Sequence, residues 1–353
     1  MNQPISRRAI PVGILGASGT SGAELTRLVE DHPDLELRFA TSRSAAGRSL
    51  CDLDPACPDV PLVHPDDADL GSVELVFTCL PHGASAPIVK DVLAAGPRVV
   101  DLSGDYRLRD AGLHTSVYGS PRDPAVAERA VYGLTELTRR EVDRARLVAN
   151  PGCYPTCAAL GLAPLVARDM VDGPVIIDAK SGVSGAGRSP KTGTLFVSVV
   201  DDVRPYKLGA AHRHRVEIAQ TLQRVAPDGK PAPTVIFNPH VVPIERGMLA
   251  TMVVRTPGHS AADVLDALRE TYAGEPLIEV RDQPARIRAV ARTPRAQLGV
   301  SDVAGTDHVV VTSTIDNLGK GAAAQAIQNA NRMLGLPETL GLVPGVLARS
   351  DSP

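Results

Sequence analysis

Several stretches of this 353-residue chain hold residue types whose spacing could do chemistry. The first, Ala149-Asn150-Pro151-Gly152-Cys153-Tyr154-Pro155-Thr156, leaves a strand-like segment, turns at Pro-Gly and enters an apolar, helix-compatible run. That order puts Cys153 at a helix N-terminus, with Pro155 in the first turn, where a missing N–H is tolerated. Helix-end amides and the helix dipole favour a thiolate over a thiol of reference pKa roughly 8.5. Cys153 is therefore the candidate nucleophile. Cys157, one turn on among alanines and leucines, reads as core, as do Cys79 in its strand and Cys51 and Cys57.

A thiolate needs a partner for protons and charge, and the densest histidine site is Ala211-His212-Arg213-His214-Arg215-Val216-Glu217. Two histidines two residues apart share a face if the chain is extended, a geometry that also suits a metal. The adjacent arginines would repel a cation and no HExxH or cysteine pair lies nearby, so no metal is expected. One histidine moves protons, and Arg213 holds a carboxylate or phosphate of a small anionic substrate. His32, His64, His114, His259 and His308 lack such company and read as surface residues. Lys180-Ser-Gly-Val-Ser184-Gly-Ala-Gly-Arg188 reads either as an anion-binding loop, in which amides, Ser184 and Arg188 donate, or as a flexible loop.

The N-terminal stretch Gly13-Ile-Leu-Gly16-Ala-Ser18-Gly19-Thr20-Ser-Gly22 lies between a strand-like and a helix-like segment. Glycine there lets the backbone turn tightly and approach a pyrophosphate, whose charge meets the helix N-terminus. The spacing is GxxGxxG, not GxGxxG, and an ordinary strand-to-helix turn is the competing reading. At the end of the second strand, Ala40-Thr41-Ser42-Arg43-Ser44 has no acid for a ribose hydroxyl. Hydroxyls and an arginine suit a 2′-phosphate, which favours NADP over NAD. Leu80-Pro81-His82-Gly83 ends another strand, and His82 could border the nucleotide crevice.

The elements that must position these residues follow from periodicity. Ala9–Leu15, Leu35–Thr41, Val73–Leu80, Arg98–Leu102 and Arg146–Ala149 read as strands alternating with helices near Glu24–Val29 and Ala84–Ala95, an α/β pattern with a mostly parallel sheet. After residue 150 the runs become β-rich, at Pro174–Ala179, Thr234–Val242, Leu249–Arg255 and His308–Ile315, with helices at Pro155–Arg168 and Ala261–Tyr272. A second, α+β domain is expected, followed by a small-residue helix from Leu318 to about Leu334. With 43% hydrophobic and 22% charged residues, the chain has material for real cores. A net charge of −3, no tryptophan, six tyrosines and four phenylalanines argue against nucleic-acid binding. No long apolar window or signal-peptide core is seen, so no membrane partner and a cytoplasmic location are expected. The odd cysteine count speaks against a disulfide framework.

Together, Gly-Ala-Ser-Gly at 16–19, Leu-Pro-His-Gly at 80–83, Pro-Gly-Cys-Tyr-Pro-Thr at 151–156, Ser-Gly-Val-Ser-Gly-Ala-Gly-Arg at 181–188, His-Arg-His at 212–214 and Asp-Asn-Leu-Gly-Lys-Gly at 316–321 resemble the N-acetyl-γ-glutamyl-phosphate reductase family. The resemblance spans nearly the whole chain. It implies NADPH-dependent reductive dephosphorylation of N-acetyl-γ-glutamyl phosphate to the semialdehyde, in arginine biosynthesis, with inorganic phosphate as product. By resemblance, Cys153 forms a thioester, His212 is the acid/base, and His214 orients it or replaces it in that role. Ser103, Asp105 and Arg107 match a Ser-x-Asp-x-Arg stretch bordering the active site, with Arg107 on the substrate, and Asn317 matches an asparagine near the nicotinamide. Thr135, Val216 and Ala324 depart from the family pattern. The implied fold is like that of aspartate-semialdehyde dehydrogenase: a Rossmann NADP-binding domain over 1–152, a catalytic and oligomerisation domain over 153–316, and a C-terminal helix and tail over 317–353 returning to the first. A homodimer or homotetramer is implied. The alternative is a related reductase of a longer or carrier-bound acyl phosphate of a lysine-type pathway.

Overall fold

The computed structural model describes residues 9–188, 192–209 and 211–343. Two units divide the chain, Met1–Asn150 together with Ala323–Pro353, and Pro151–Ala322. The first is built on seven strands: β1 (Ile10–Leu15), β2 (Leu35–Thr41), β3 (Leu62–Val63), β4 (Leu75–Thr78), β5 (Arg98–Asp101), β6 (Val131–Tyr132) and β7 (Leu147–Ala149). Every pairing is parallel, in the order β3-β2-β1-β4-β5-β7-β6. Val12, Ile14, Leu75, Val76, Phe77, Val99 and Val100 are fully buried, the near-continuous apolar strands that a sheet covered on both faces requires. The strand order reverses at β1, flanked by β2 and β4, and the glycine loop lies at its C-terminal end, where open α/β sheets take ligands.

The C-terminal helix Ala324–Met333 belongs to this first unit and packs on the helices Thr20–Glu30 and Thr135–Val142. Its buried face is polar. Asn329 Nδ2 donates to Gly133 O (2.8 Å) and Asn150 Oδ1 (3.0 Å), Thr135 Oγ1 donates to Asn329 Oδ1 (2.8 Å), and Gln325 Nε2 donates to Thr135 Oγ1 (2.7 Å). The hydroxyl of Thr135, a departure from the family pattern, thus joins a buried polar network. The tail beyond 343, expected to pack back with this helix, lies outside the described residues.

Two histidines expected at the surface are in the core of this unit. His32 is 4% exposed, bonded to Asn331 Oδ1 at 3.1 Å, because the segment after the C-terminal helix closes over it. His114 is 1% exposed, covered by the Tyr118 ring of its own helix, Ala111–Tyr118. Cys51 and Cys57, read as core, are half-exposed in the loop after β2, and Cys79 falls just past the end of β4.

The second unit holds a mixed sheet of β8 (Val175–Ser181), β9 (Arg204–Pro205), β10 (Val235–Val241), β11 (Met248–Arg255), β12 (Ile278–Arg281), β13 (Ala296–Asp302) and β14 (His308–Ile315), in the order β12-β13-β14-β11-β8-β10-β9. Residues alternate buried and less buried along β8, β10 and β11, so one face is covered and the other open. The open face presents Ile176 and Ile236, paired in register. On the covered face lies the helix Cys153–Ala167, apolar on all sides and buried from Tyr154 to Val166. It packs on the helix His214–Val225. β13 escapes the alternation rule because Gln297, fully buried, spends its amide on Arg286 N–H and Glu279.

Candidate functional site

The glycine loop fits a dinucleotide. Gly16 has φ +87°, a left-handed conformation, and a Cβ there would sit 2.7 Å from Cys79 O. A side chain on Gly22 would overlap the Gly16 carbonyl. Gly19 caps the helix Thr20–Glu30 without a side-chain bond, and no acid lies in its first turn, so the Thr20 end keeps its donors for an anion. The hydroxyls of Ser18 and Ser42 are 2.8 Å apart, tying the loop to the end of β2, and Ser42 also accepts from Ala45 N–H (3.1 Å). Arg43, beside it, is exposed. Pro81 is exposed, while His82 is held by Gly104 N–H on Nδ1 (2.6 Å) with its ring 5.4 Å from Tyr118.

The stretch Ser103-Gly-Asp105-Tyr-Arg107 builds the neighbouring loop. Buried Asp101 accepts from Thr78 Oγ1 (2.6 Å), Ser85 Oγ (2.7 Å) and Ser103 Oγ (2.7 Å). Burial pushes its carboxyl up, and those hydrogen bonds oppose the shift. Asp105 accepts from Gly83 and Ala86 N–H at 2.8 and 2.9 Å, capping the helix Ser85–Ala95. Arg107, 6% exposed, spends Nε on Asn150 O (2.7 Å) and Nη2 on Leu102 O (2.8 Å).

In the second unit, Cys153 is the first residue of its helix, with Gly152 as an N-cap that makes no side-chain bond. The pyrrolidine of Pro155 sits where an intrahelical donor would be idle. Gly152 N–H is held by Glu217 Oε1 at 2.8 Å, both residues buried. Glu217 lies in the first turn of the helix that begins at His214, so the histidine motif is not extended as expected. A turn brings the two histidines together instead: His214 N–H donates to His212 Nδ1 (3.1 Å), and the rings lie 4.9 Å apart.

Three of the chain's few aromatic side chains enclose His212. Its ring is 5.6 Å from Tyr154, 5.5 Å from Tyr206 and 5.3 Å from Phe237, all edge-on. Tyr206 Oη donates to Tyr154 Oη at 3.2 Å. Burial in this cage, helped by the charges of Arg213 and Lys207, lowers the imidazole to about 4. Desolvation pushes the Tyr206 phenol up to about 12 and the buried Cys157 thiol up to about 12. Cys157, bonded to Ser313 O at 3.2 Å, is core as expected.

The loop after β8 departs from the anion-loop reading in one respect. The amides of Gly182, Val183 and Ser184 donate to the carbonyls of Gly247, Ile244 and Glu245, because the loop is zipped to the turn before β11. Ser184 Oγ and the exposed Arg188 remain as side-chain groups. Asn317 joins this cluster, its Nδ2 donating to Ser184 Oγ (2.8 Å) and its Oδ1 accepting from Gly247 N–H (2.7 Å). Asn317 is set by Asp316, fully buried, which accepts from Arg246 Nε (3.0 Å) and Nη2 (3.0 Å), from Leu318 and Gly319 N–H (2.8 and 2.9 Å), and from Arg292 N–H. A π-helical turn, Gly319–Ala323, follows. A Cβ on its Gly321 would come within 2.8 Å of Cys153 Cβ, so only glycine allows that approach.

The second unit thus pairs His212 with His214 and Ser184 with Asn317 and holds Cys153 against Gly321, with Arg213 exposed at the cap of the His214 helix. The first gathers Gly16, Ser18, Gly19, Thr20, Gly22, Ser42 and Arg43. Sequence reasoning missed Glu217, Tyr154, Tyr206, Phe237, Arg246 and Asp316. A signal existed for the tyrosines: in a chain with so few aromatics, one directly follows the nucleophile.

A doubly wound nucleotide-binding unit, with a second unit carrying a cysteine at a helix N-terminus and a caged histidine, defines an α/β oxidoreductase of the semialdehyde-dehydrogenase class. Residues 11–145 match the family described as semialdehyde dehydrogenase, NAD binding domain, and residues 153–317 match semialdehyde dehydrogenase, dimerisation domain. In fold, the chain resembles crystal structures of aspartate semialdehyde dehydrogenase II from Vibrio cholerae complexed with ASA (TM-score 0.71, 18% identity, covering 93% of this chain and 99% of that one) and of the enzyme with NADP from Candida albicans (TM-score 0.63, 18% identity, 94% and 99%). The N-acetyl-gamma-glutamyl-phosphate reductase of Halorhodospira halophila is 46% identical over 344 residues, 94% of this chain and 98% of the relative. That of Dehalococcoides mccartyi is 43% identical over 332 residues, 94% and 96%. The chain belongs to the N-acetyl-γ-glutamyl-phosphate reductase family. Among the described residues, no helix is long and apolar enough to cross a membrane.

Proposed function

We propose that the chain catalyses the NADPH-dependent reductive dephosphorylation of N-acetyl-γ-glutamyl phosphate to N-acetylglutamate semialdehyde, the arginine-biosynthetic step for which its relatives are named. The observation that carries this reading is Cys153, heading a helix whose glycine N-cap makes no side-chain bond and whose start is pinned by Glu217 and faced by Gly321. Cys153 sulfur attacks the acyl carbon, the carbon–oxygen bond to phosphate breaks, and inorganic phosphate leaves behind a thioester. NADPH held at the Gly16–Gly22 loop would supply the hydride that reduces this thioester. Carbon–sulfur cleavage then releases the aldehyde and restores the thiolate. His212 answers the charge on the carbonyl oxygen, and His214 orients it through the backbone bond to Nδ1.

Gly16, Ser18, Gly19, Thr20 and Gly22 would hold the pyrophosphate, and Ser42 with Arg43 the 2′-phosphate. Pro81, His82 and Asn317 serve the nicotinamide end. Arg188, Arg213 and Ser184 hold the anionic substrate. Arg107, two of whose donors are committed to carbonyls, supports the substrate region chiefly by fixing the backbone. Residues 1–152 act as the nucleotide domain, 153–316 as the catalytic and oligomerisation domain, and 317–353 as the return to the first. The enzyme works in the cytoplasm as a homodimer or homotetramer. Phe196 and Val197, 77% and 80% exposed, support self-association in the region that matches a dimerisation domain.

The relatives' names do not favour a longer or carrier-bound acyl phosphate. The test is NADP reduction by N-acetylglutamate semialdehyde in phosphate or arsenate, beside the aminoadipate analogue. Turnover of the first and neglect of the second is expected. The reverse preference would assign the chain to the lysine-type reaction.

A further inference from the structure

In the first unit the glycine loop follows β1, Ser42 and Arg43 follow β2 on one side of it, and the Leu80–Gly83 turn follows β4 on the other. The end of β2 suits the adenosine 2′-phosphate and the helix after β1 suits the pyrophosphate, so the residues left for the nicotinamide half are those on the β4 side. The turn there lies directly against the loop. Cys79 N–H donates to Leu15 O (2.8 Å), and a Cβ on Gly16 would sit 2.7 Å from Cys79 O and 3.1 Å from Leu80 Cδ2.

What holds this turn comes from a helix outside the motifs named above. The helix Ala111–Tyr118 is a surface element whose buried residue is His114. Tyr118 comes four positions later, on the same helix face, and its ring touches two histidines, His114 at 5.2 Å and His82 at 5.4 Å between centroids. The phenol also lies on Gly104, where a Cβ would meet Tyr118 Cε1 at 2.4 Å. Gly104 N–H in turn donates to His82 Nδ1 (2.6 Å), Asp105 accepts from Gly83 N–H (2.8 Å), and Arg122 Nη1 fastens the segment after the helix to Asp105 O (2.9 Å). One hydrogen bond leaves an imidazole free to swing about it. A ring packed on both the imidazole and the residue that donates to it removes that freedom.

We propose that Tyr118 is a positioning residue for the nicotinamide half of NADPH, acting through His82. The inference rests on the reading of His82 as serving the nicotinamide end, and deepens it by naming what holds that residue in place. The clamp is made by the face and edge of a ring against His82 and Gly104, so the ring rather than the hydroxyl carries the effect. Because the helix lends its unit little core beyond His114, loss of the ring should spare the fold.

The test is nucleotide titration of the whole enzyme with two probes, NADPH and adenosine 2′,5′-bisphosphate, which carries the 2′-phosphate end without a nicotinamide. Tyr118→Ala should weaken NADPH about 3- to 10-fold, the size of an aromatic pair, and leave the bisphosphate unchanged, whose binding also reports that the unit is folded. Tyr118→Phe keeps the ring and should bind both probes as the wild type does. In a His82→Ala background, Tyr118→Ala should cost nothing further, as expected of a residue that acts through another. Should Tyr118→Ala not fold, Tyr118→Leu carries the same comparison. An equal effect on the two probes, a phenylalanine variant as weak as the alanine one, or an undiminished effect in the His82→Ala background would overturn the proposal and leave the nucleotide site standing. A wild type that binds neither probe would overturn the nucleotide reading itself, and the proposal with it.

Discussion

The side chain of Glu217 holds the backbone N–H of Gly152 at 2.8 Å. One helix thereby sets both the cap of the nucleophile's helix and, at its first residue His214, the orientation of His212. Glu217→Ala removes the acceptor from a buried donor, a loss of about 1–3 kcal/mol, and frees the turn before Cys153. We expect kcat to fall about 10- to 100-fold, as for misplaced reacting groups, with the NADPH dissociation constant unchanged. Glu217→Gln keeps an oxygen acceptor and should retain most of the activity. Steady-state kinetics beside nucleotide titration checks this, and equal loss in both variants would mean that charge, not the hydrogen bond, is what matters.

Cys153→Ser should abolish reductase activity while NADPH still binds, since a hydroxyl is a far weaker nucleophile at neutral pH. Cys157→Ser, one turn deeper, should change stability more than turnover, because the thiol it replaces is fully buried against Ser313. Substantial turnover by the Cys153 variant would remove the thioester mechanism.

The Ser18–Ser42 hydroxyl pair and the neighbouring Arg43 predict a preference for NADPH over NADH. Replacing Ser42 with Asp and Arg43 with Ala should narrow it, as a carboxylate repels the 2′-phosphate and accepts a ribose hydroxyl instead. The ratio of kcat/KM for the two nucleotides is the measurement. Equal use of both by the wild type contradicts the assignment of this loop.

The caged His212 makes stability depend on pH. Its folded value, about 4, lies below the ordinary 6.5, so between those pH values the unfolded chain binds more protons. Stability is full above pH 6.5 and declines as pH falls toward 4, by at most about 3.5 kcal/mol from this residue at about 1.4 kcal/mol per unit. His32 and His114, also lowered chiefly by burial, act in the same direction. Urea denaturation at pH 7.5, 5.5 and 4.5 should show a shallower decline for His212→Asn than for wild type. Parallel slopes would mean that the imidazole is already solvated.

Phe196→Asp with Val197→Asp should shift the protein to a smaller species in sedimentation velocity, because two charges then replace the most exposed large apolar side chains among the described residues. An unchanged sedimentation coefficient would place the self-association surface elsewhere, for instance on the open sheet face of Ile176 and Ile236.

The strands of the first unit were legible because a sheet buried on both faces demands continuous apolar runs, as Ile10–Leu15 and Leu75–Thr78 display. The glycine loop and the Pro-Gly-Cys turn were legible for a related reason, since backbone shape and helix ends are dictated by neighbours a few residues apart. The helix at His214 was not, because a motif of alternating histidines and arginines has no apolar period, and only packing against the Cys153 helix decides its form. His32 looked like a surface residue until a segment about three hundred positions away covered it. The amides after β8 seemed free to bind an anion until the turn at 244–247 consumed them. Local sequence chose the reactive atom, Cys153 sulfur. What surrounds it, the Glu217 anchor, the Gly321 approach and the aromatic cage that keeps His212 neutral, arises from contacts between elements far apart in the chain, where burial and long-range hydrogen bonds overrule propensity.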